Sequence, residues 1–378
     1  MIAVSRPSLG REELAAVEEV FRSGWLGLGA TTRSFEEAIE RYLGCRHAIA
    51  VNSGTSALHV ALAAFGVGSG DEVIVPSLTF AACVQAILAT GATPVFCEPD
   101  DATLLLDLAD VRRRLTPRTK AIMPVHFGGS ACDVDALVDL ADAHGLRVIE
   151  DAAHAFGTTL CGRRLGSFGH AACFSFDPIK NITCGEGGAV VVADDAVAAT
   201  IRRLRMLGID RDAWQRRGET QPQPSWLYHV TSEGFRYHMP NFCAAVGLAQ
   251  MEKLDGFLTR RRDVCRRYDR AFGVLHSVRL RPVDYDETAP HLYVVRVAAG
   301  VRQAFMDFLA ARGVGTGVHY LANHEQPHFV SYATAPLPVT DVVTREIVSL
   351  PLHCELSDDD VQTVIDAVVA WDRSATPS

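Results

Sequence analysis

The sequence predicts an α/β protein, a mainly parallel sheet with helices on both faces followed by a smaller α+β unit. Two observations predict it. Apolar β-rich runs alternate with stretches of helical spacing through the first two thirds of the chain, and one long helical pattern divides that part from a shorter remainder. The 378 residues, 48% apolar and 21% charged, suffice for two ordinary domains or one large one with a satellite. They exclude a disordered tail and a coiled coil, and no period of about 20–50 residues recurs to suggest a repeat architecture.

The strands read as 47–51, 72–75, 93–96, 120–124 and 146–150, each an apolar run. Between them, 55–64, 80–89, 108–115 and 134–144 carry apolar residues at helical spacing. Strands separated by helices need right-handed crossovers and a parallel sheet, whose ligands bind beyond the carboxyl ends of the strands. A further strand, 189–192, follows a glycine-rich turn. The polar and aromatic segment 211–233, with Gln221-Pro222-Gln223-Pro224, reads as a long excursion. Helical spacing then runs from Asn241 to about Ala271 through Val246, Leu248, Met251, Leu254 and Leu258, linking two domains. Strand 292–297 and helices 302–312 and 358–371 complete the chain, with the last four residues frayed. The expected division is a large domain, 1–250, that includes the helices before the first strand, and a small C-terminal domain, 251–378, that includes most of the linking helix.

A net charge of -9 argues against a nucleic-acid binder, which needs clustered positive charge. The arginine-rich stretches 112–114, 202–205 and 260–267 are expected on solvated helix faces. The uncharged span 73–96 is long enough for a membrane helix, but Pro76, Gln85, Gly91 and Pro94 break it into strand, loop, helix and strand. Residues 1–10 lack the pattern of a secretory leader, so a cytoplasmic location is expected. Ten cysteines without a C-x-x-C pair are expected as reduced, mostly buried thiols.

Only Lys120, Lys180 and Lys253 occur among 36 basic residues. Where arginine supplies plain positive charge, a retained lysine points to its amine, which can be deprotonated and can attack a carbonyl. Lys120 and Lys253 read as surface charges. Lys180 lies between Phe174-Ser175-Phe176 and the turn Gly185-Glu186-Gly187-Gly188, where a lysine can point into a cleft while the backbone closes tightly. Asp151 ends a strand, where an α/β sheet exposes ligand-contacting groups. Pyridoxal phosphate needs such an acid beside its ring nitrogen, because the protonated ring is the electron sink. The competing reading of Asp151 is a cap for a helix at 152–156. Asn52-Ser53-Gly54-Thr55-Ser56 joins a strand to a helix start, whose free N–H groups suit a phosphate, with Ser175 as a further hydroxyl.

Five segments carry a resemblance: 52–58 (NSGTSAL), 70–80 (GDEVIVPSLTF), 150–157 (EDAAHAFG), 174–188 (FSFDPIKNITCGEGG) and 234–250 (GFRYHMPNFCAAVGLAQ). As a set they resemble the DegT/DnrJ/EryC1/StrS family of sugar aminotransferases, with the likeness continuing to 350–352 and 356–358. The resemblance implies a fold-type-I homodimer with a mainly parallel seven-stranded sheet. It also implies pyridoxal 5′-phosphate at the subunit boundary, passing through pyridoxamine phosphate. Lys180 looks like the lysine that joins the cofactor, and Asp151 like the partner of its ring nitrogen. Phe80 would stack on the ring, His154 would lie near its phenolic oxygen, and Gly54, Thr55 and Ser175 would hold its phosphate. At 234–239 relatives commonly read G-[FY]-N-Y-R-[ML], and the family asparagine reaches the phosphate from the neighbouring subunit. Arg236 stands in its place here, and two readings remain open, a phosphate contact or a solvated side chain. His238 likewise replaces the family arginine. The histidines of 317–329 border the active site in relatives, so His319, Tyr320 and His324 are candidate substrate contacts; their spacing is poor for a metal, and none is expected.

The implied reaction moves an amino group from L-glutamate to a nucleotide-linked keto sugar. The expected position is C4 of a dTDP-4-keto-6-deoxyhexose, in deoxyaminosugar or antibiotic biosynthesis, with C3 amination as the alternative. A dehydratase branch of the family replaces the lysine with histidine, so Lys180 weighs against it. The lysine, the acid and the phosphate turn together weigh against a non-enzymatic role. No G-x-G-x-x-G follows the first strand, as a nicotinamide-dependent oxidoreductase would require.

Overall fold

The computed structural model describes residues 1–211, 224 and 226–375. Most of the Gln221–Pro224 motif and the end of the chain therefore lie outside the described residues. The strands that build the site are β1 (His47–Val51), β2 (Glu72–Pro76), β3 (Thr93–Cys97), β4 (Thr119–Ile122) and β5 (Arg147–Asp151). They are followed by a short hairpin of β6 (Thr159–Leu160) and β7 (Arg163–Arg164), then β8 (Ala171–Ser175) and β9 (Gly188–Val192). A seven-stranded sheet runs in the order β1-β9-β8-β5-β4-β2-β3, with β9 antiparallel to both neighbours. The pairs β8/β5, β5/β4, β4/β2 and β2/β3 are parallel.

Alternate residues of each strand feed different cores, which is why these strands read as continuous apolar runs. Ala48, Ile74, Ile122, Val148, Phe174 and Val191 face one core with Phe35, Leu137 and Leu258. Ile49, Val73, Ala121, Ile149, Cys173 and Val190 face the other, with Leu58, Leu62, Val84 and Ile87 from the helices Gly54–Ala64 and Ala81–Ala89. Span 73–96 thus resolves into β2, a helix and β3, and among the described residues no helix is long and apolar enough to cross a membrane. The ten cysteines are all free, and most are buried.

The second unit is an antiparallel sheet of β10 (Arg279–Leu280), β11 (Tyr293–Arg296) and β12 (Ile347–Leu350), covered by the helices Arg302–Ala310 and Asp358–Ala375. The 32-residue helix Asn241–Phe272 serves both units. Cys243, Ala244, Leu254 and Leu258 pack in the first core, and Val264, Cys265, Tyr268 and Phe272 in the second. Packing changes partners between Leu258 and Val264. The chain start also joins the second unit, since Ile2 bridges Val314.

Two arginines depart from the expected solvated faces. Arg205 is buried, pairs with buried Glu36 and donates to the Ala50 carbonyl at 2.7 Å. Arg261 is buried and donates to the Leu352 carbonyl at 3.1 Å. Lys253 bridges Glu12 at 3.0 Å and Glu13 at 2.7 Å, fastening the N-terminal helix Arg11–Ser23 to the long helix.

Candidate active site

The carboxyl ends of β1, β2, β5 and β8 open into a cleft of about 360 Å³. Register places these ends in one row: Val51 pairs with Gly188, and Gly188 with Ser175. Close approach is what the glycines here permit. A Cβ on Gly188 would lie 2.4 Å from the Ser53 carbonyl oxygen, and one on Gly54 would lie 2.8 Å from the Ser175 Cβ. Ser53 caps the helix Gly54–Ala64 by accepting from the Ser56 N–H at 3.1 Å, and the Ser56 hydroxyl donates to Asn52 Oδ1 at 2.7 Å. Gly54 and Thr55 line the cleft at the start of this helix, where backbone N–H groups lack intrahelical acceptors.

Asp151 ends β5 in a turn rather than capping a helix, so the competing reading of this residue fails. Its Oδ1 accepts from the Ala153 N–H at 2.9 Å and its Oδ2 from the Cys83 thiol at 2.8 Å. Thr79 Oγ1 lies 3.1 Å from the same sulfur. The carboxylate is thereby held in one orientation while still lining the cleft. Lys180 follows β8 and shares that cleft, its N–H bonded to the Asp177 carbonyl at 3.1 Å. Burial pushes the Lys180 amine below the ordinary lysine range, against the opposite pull of Asp151 and Asp177. Burial raises the Glu186 carboxyl, and Asp177 raises it further.

His154 has a defined tautomer. Its Nδ1 accepts from the Gly128 N–H at 3.3 Å, so the ring proton sits on Nε2, 3.0 Å from the Tyr320 hydroxyl. With Nε2–H donating, the Tyr320 proton is left for another acceptor. Burial, then the charge of Lys180, holds His154 well below the ordinary histidine range. The His291 ring lies 4.4 Å from it, also held low by burial, and neither of its nitrogens has a hydrogen-bond partner among the described residues. Beneath Asp151 lies a fully buried pair, His126 Nε2 donating to Glu150 Oε2 at 2.9 Å, with His126 Nδ1 accepting from the Cys132 N–H at 3.0 Å.

Gly54, Thr55, Phe80, Asp151, His154, Ser175, Lys180, His319 and Tyr320 all line this one cleft. Phe80 is 58% exposed and its ring is 5.6 Å from that of Tyr320, so an aromatic face stands open at the mouth. His324 is a correction: it lies outside the cleft lining, with Nδ1 2.7 Å from Ser77 Oγ and Nε2 2.9 Å from Asp341 Oδ1. Its ring nitrogens are spent on structural bonds. His324, Glu325 and Asp341 lie close enough to share a metal ion, but Glu325 already bonds Arg345 at 3.1 Å. Arg236 is exposed outside its own chain's cleft, its backbone bridging Met206. Cys83, His291, Asp177 and Glu186 were missed by sequence reasoning. Only the last two carry a local signal, flanking Lys180 in the chain.

These residues fit pyridoxal phosphate. An amine depressed by burial shares the cleft with an oriented carboxylate, an exposed aromatic ring belongs to the same lining, and a helix start adds its N–H groups. The DegT/DnrJ/EryC1/StrS aminotransferase family matches residues 7–369. The spore coat polysaccharide biosynthesis protein SpsC of Bacillus subtilis (strain 168) is 42% identical over 375 residues, 96% of this chain and 95% of SpsC. The structure of the aminotransferase TlmJ from Streptoalloteichus hindustanus superposes with a TM-score of 0.92 at 36% identity, covering 100% of both chains. Spr1654 of Streptococcus pneumoniae in its PMP form gives 0.93 at 27% identity, again over 100% of both. The chain belongs to the DegT/DnrJ/EryC1/StrS aminotransferase family, enzymes that use pyridoxal 5′-phosphate to place amino groups on sugars.

Proposed function

We propose that this aminotransferase moves the amino group of L-glutamate to C4 of a dTDP-4-keto-6-deoxyhexose, and that two copies of the chain share each active site. The observation that carries the reading is the Lys180 amine in one cleft with the oriented Asp151 carboxylate. When bound, pyridoxal phosphate supplies an aldehyde carbon that carries the amino group and a ring that withdraws electrons from it.

The chain's own residues do the rest. Lys180 Nζ would hold the cofactor and, once released, take a proton from the donor carbon and return one to the acceptor side, as a base whose proton affinity burial lowers. Asp151, oriented by Ala153 and Cys83, presents its carboxyl group to the ring nitrogen. Gly54, Thr55 and Ser175 hold the phosphate at the helix start. Phe80 covers the ring and excludes water from one face. The Tyr320 hydroxyl, aimed by His154, donates to an oxygen in the cleft, and His319 lines the sugar side with its Nδ1 2.8 Å from Ser349 Oγ. Arg236, exposed on its own chain, supplies a cation to the partner's phosphate.

Lys180→Ala is expected to lose both the visible absorbance of the lysine-bound cofactor and turnover; an undiminished band in that variant overturns the assignment. Incubation with glutamate and a panel of 4-keto and 3-keto sugar nucleotides, read by product mass and NMR, tests the substrate. A C4 amino product supports the reading, and amination only at C3 refutes it.

A further inference from the structure

We propose that Asn323 is the positioning residue that sets the slot between Phe80 and Tyr320, and so the seat of the cofactor ring. This rests on the reading of Phe80 as the residue that covers that ring.

The slot has two jaws from opposite ends of the chain. Phe80 ends the turn between β2 and the helix Ala81–Ala89, and Tyr320 belongs to the second unit. Asn323 stands three residues after Tyr320 and is 2% exposed. Its Nδ2 donates to the Ser77 carbonyl at 3.0 Å and to the Thr79 carbonyl at 2.6 Å, and its backbone N–H donates to the Ser77 carbonyl at 3.0 Å. One buried amide therefore ties the strap that carries Tyr320 to the turn that carries Phe80, the last carbonyl lying next to Phe80 itself. His324 strengthens the tie, its N–H donating to Ser77 Oγ at 3.1 Å with its ring on the same oxygen and on Asp341.

Chemistry selects asparagine for this task. Two carbonyls must be met by two N–H groups on one planar head, which a carboxamide has and a carboxylate lacks. Glutamine would carry the same head one methylene too far in a site without free space. The Phe80 ring, exposed and held by no bond of its own, takes its direction from the turn, so a slack turn becomes a loose ring.

The test compares holoenzymes. For Asn323→Ala, the dissociation constant of pyridoxal 5′-phosphate is expected to rise roughly tenfold, the size of one lost well-placed hydrogen bond. The circular dichroism that the protein induces in the bound cofactor is expected to fall. Thr340→Val removes a bond to Glu98 between the same two units without touching the Ser77 and Thr79 carbonyls that Asn323 meets, and should lower Tm with both cofactor readings unchanged. Phe80→Ala, measured alongside, should change both readings. Wild-type readings in Asn323→Ala with altered ones in Phe80→Ala overturn the proposal alone. Wild-type readings in both variants overturn it together with the reading of Phe80. Equal changes in Asn323→Ala and Thr340→Val reduce Asn323 to a structural role and also overturn it. If Asn323→Ala does not fold, Asn323→Gln is read by the same criteria.

Discussion

Two opposing influences act on the Lys180 amine, burial lowering its proton affinity and the carboxylates of Asp151 and Asp177 raising it. Removing one carboxylate should let burial win further. Asp177→Asn is expected to move the acid limb of the kcat profile, which reports the complex in which the amine is released, to lower pH, because a weaker base sheds its proton earlier; an unmoved limb separates Asp177 from Lys180. His291 makes a second prediction. Its imidazole is neutral in the fold, so below the ordinary histidine value of about 6.5 the unfolded chain binds a proton that the folded chain refuses. Stability is then lost as pH falls, by about 1.4 kcal/mol per pH unit for such a group. His291→Leu should stabilise the cofactor-free protein more at pH 5.5 than at pH 8 in urea unfolding, and an equal effect at both would show the imidazole charged. Lys180 and Asp151 were legible in the sequence because a chain sparing of lysine kept one before a glycine turn, and because an acid ended a strand. Cys83 was not, since nothing local announces a thiol 68 residues before the acid it bonds. His324 was misread for the same reason: neighbouring histidines suggested a shared role, while Ser77, 247 residues away, takes its ring.

The strands read from the sequence lie within a residue or two of the observed ones because burial on both faces leaves unbroken apolar runs, whereas β8 and β12 were not read. The exception is instructive. The run 120–124 outlasts β4, which ends at Ile122, since Pro124 has no N–H to extend a ladder. Buried arginines were illegible, because a helical Arg-rich stretch looks the same whether a glutamate waits behind it or water does. Arg205→Met is expected to cost up to about 3 kcal/mol in a denaturant titration, as it leaves buried Glu36 to the longer 3.4 Å contact with Arg33; Arg205→Met with Glu36→Leu should recover part of that loss. At the phosphate turn, Gly188→Ala should push β9 from the Ser53 carbonyl, lowering Tm and weakening cofactor binding together. A variant that lost stability but bound the cofactor normally would uncouple that turn from the site.

Shared sites make a prediction for the whole assembly. If Arg236 serves the neighbouring copy, mixing Lys180→Ala chains with Arg236→Ala chains creates one intact site in each mixed pair. Random pairing then restores roughly a quarter of wild-type activity from two crippled parents, whereas sites built within one chain would restore none. The helix Asn241–Phe272 acts at this scale too, lending one face to the core of the large sheet and its later turns to the core of the small one. A rod common to both interiors leaves no flexible joint along that path, and neither half can melt without stripping the rod from the other. Calorimetry should accordingly record a single endotherm, and adjustment to incoming sugars falls to the loops at the cleft rim instead of a swing of one lobe against its neighbour.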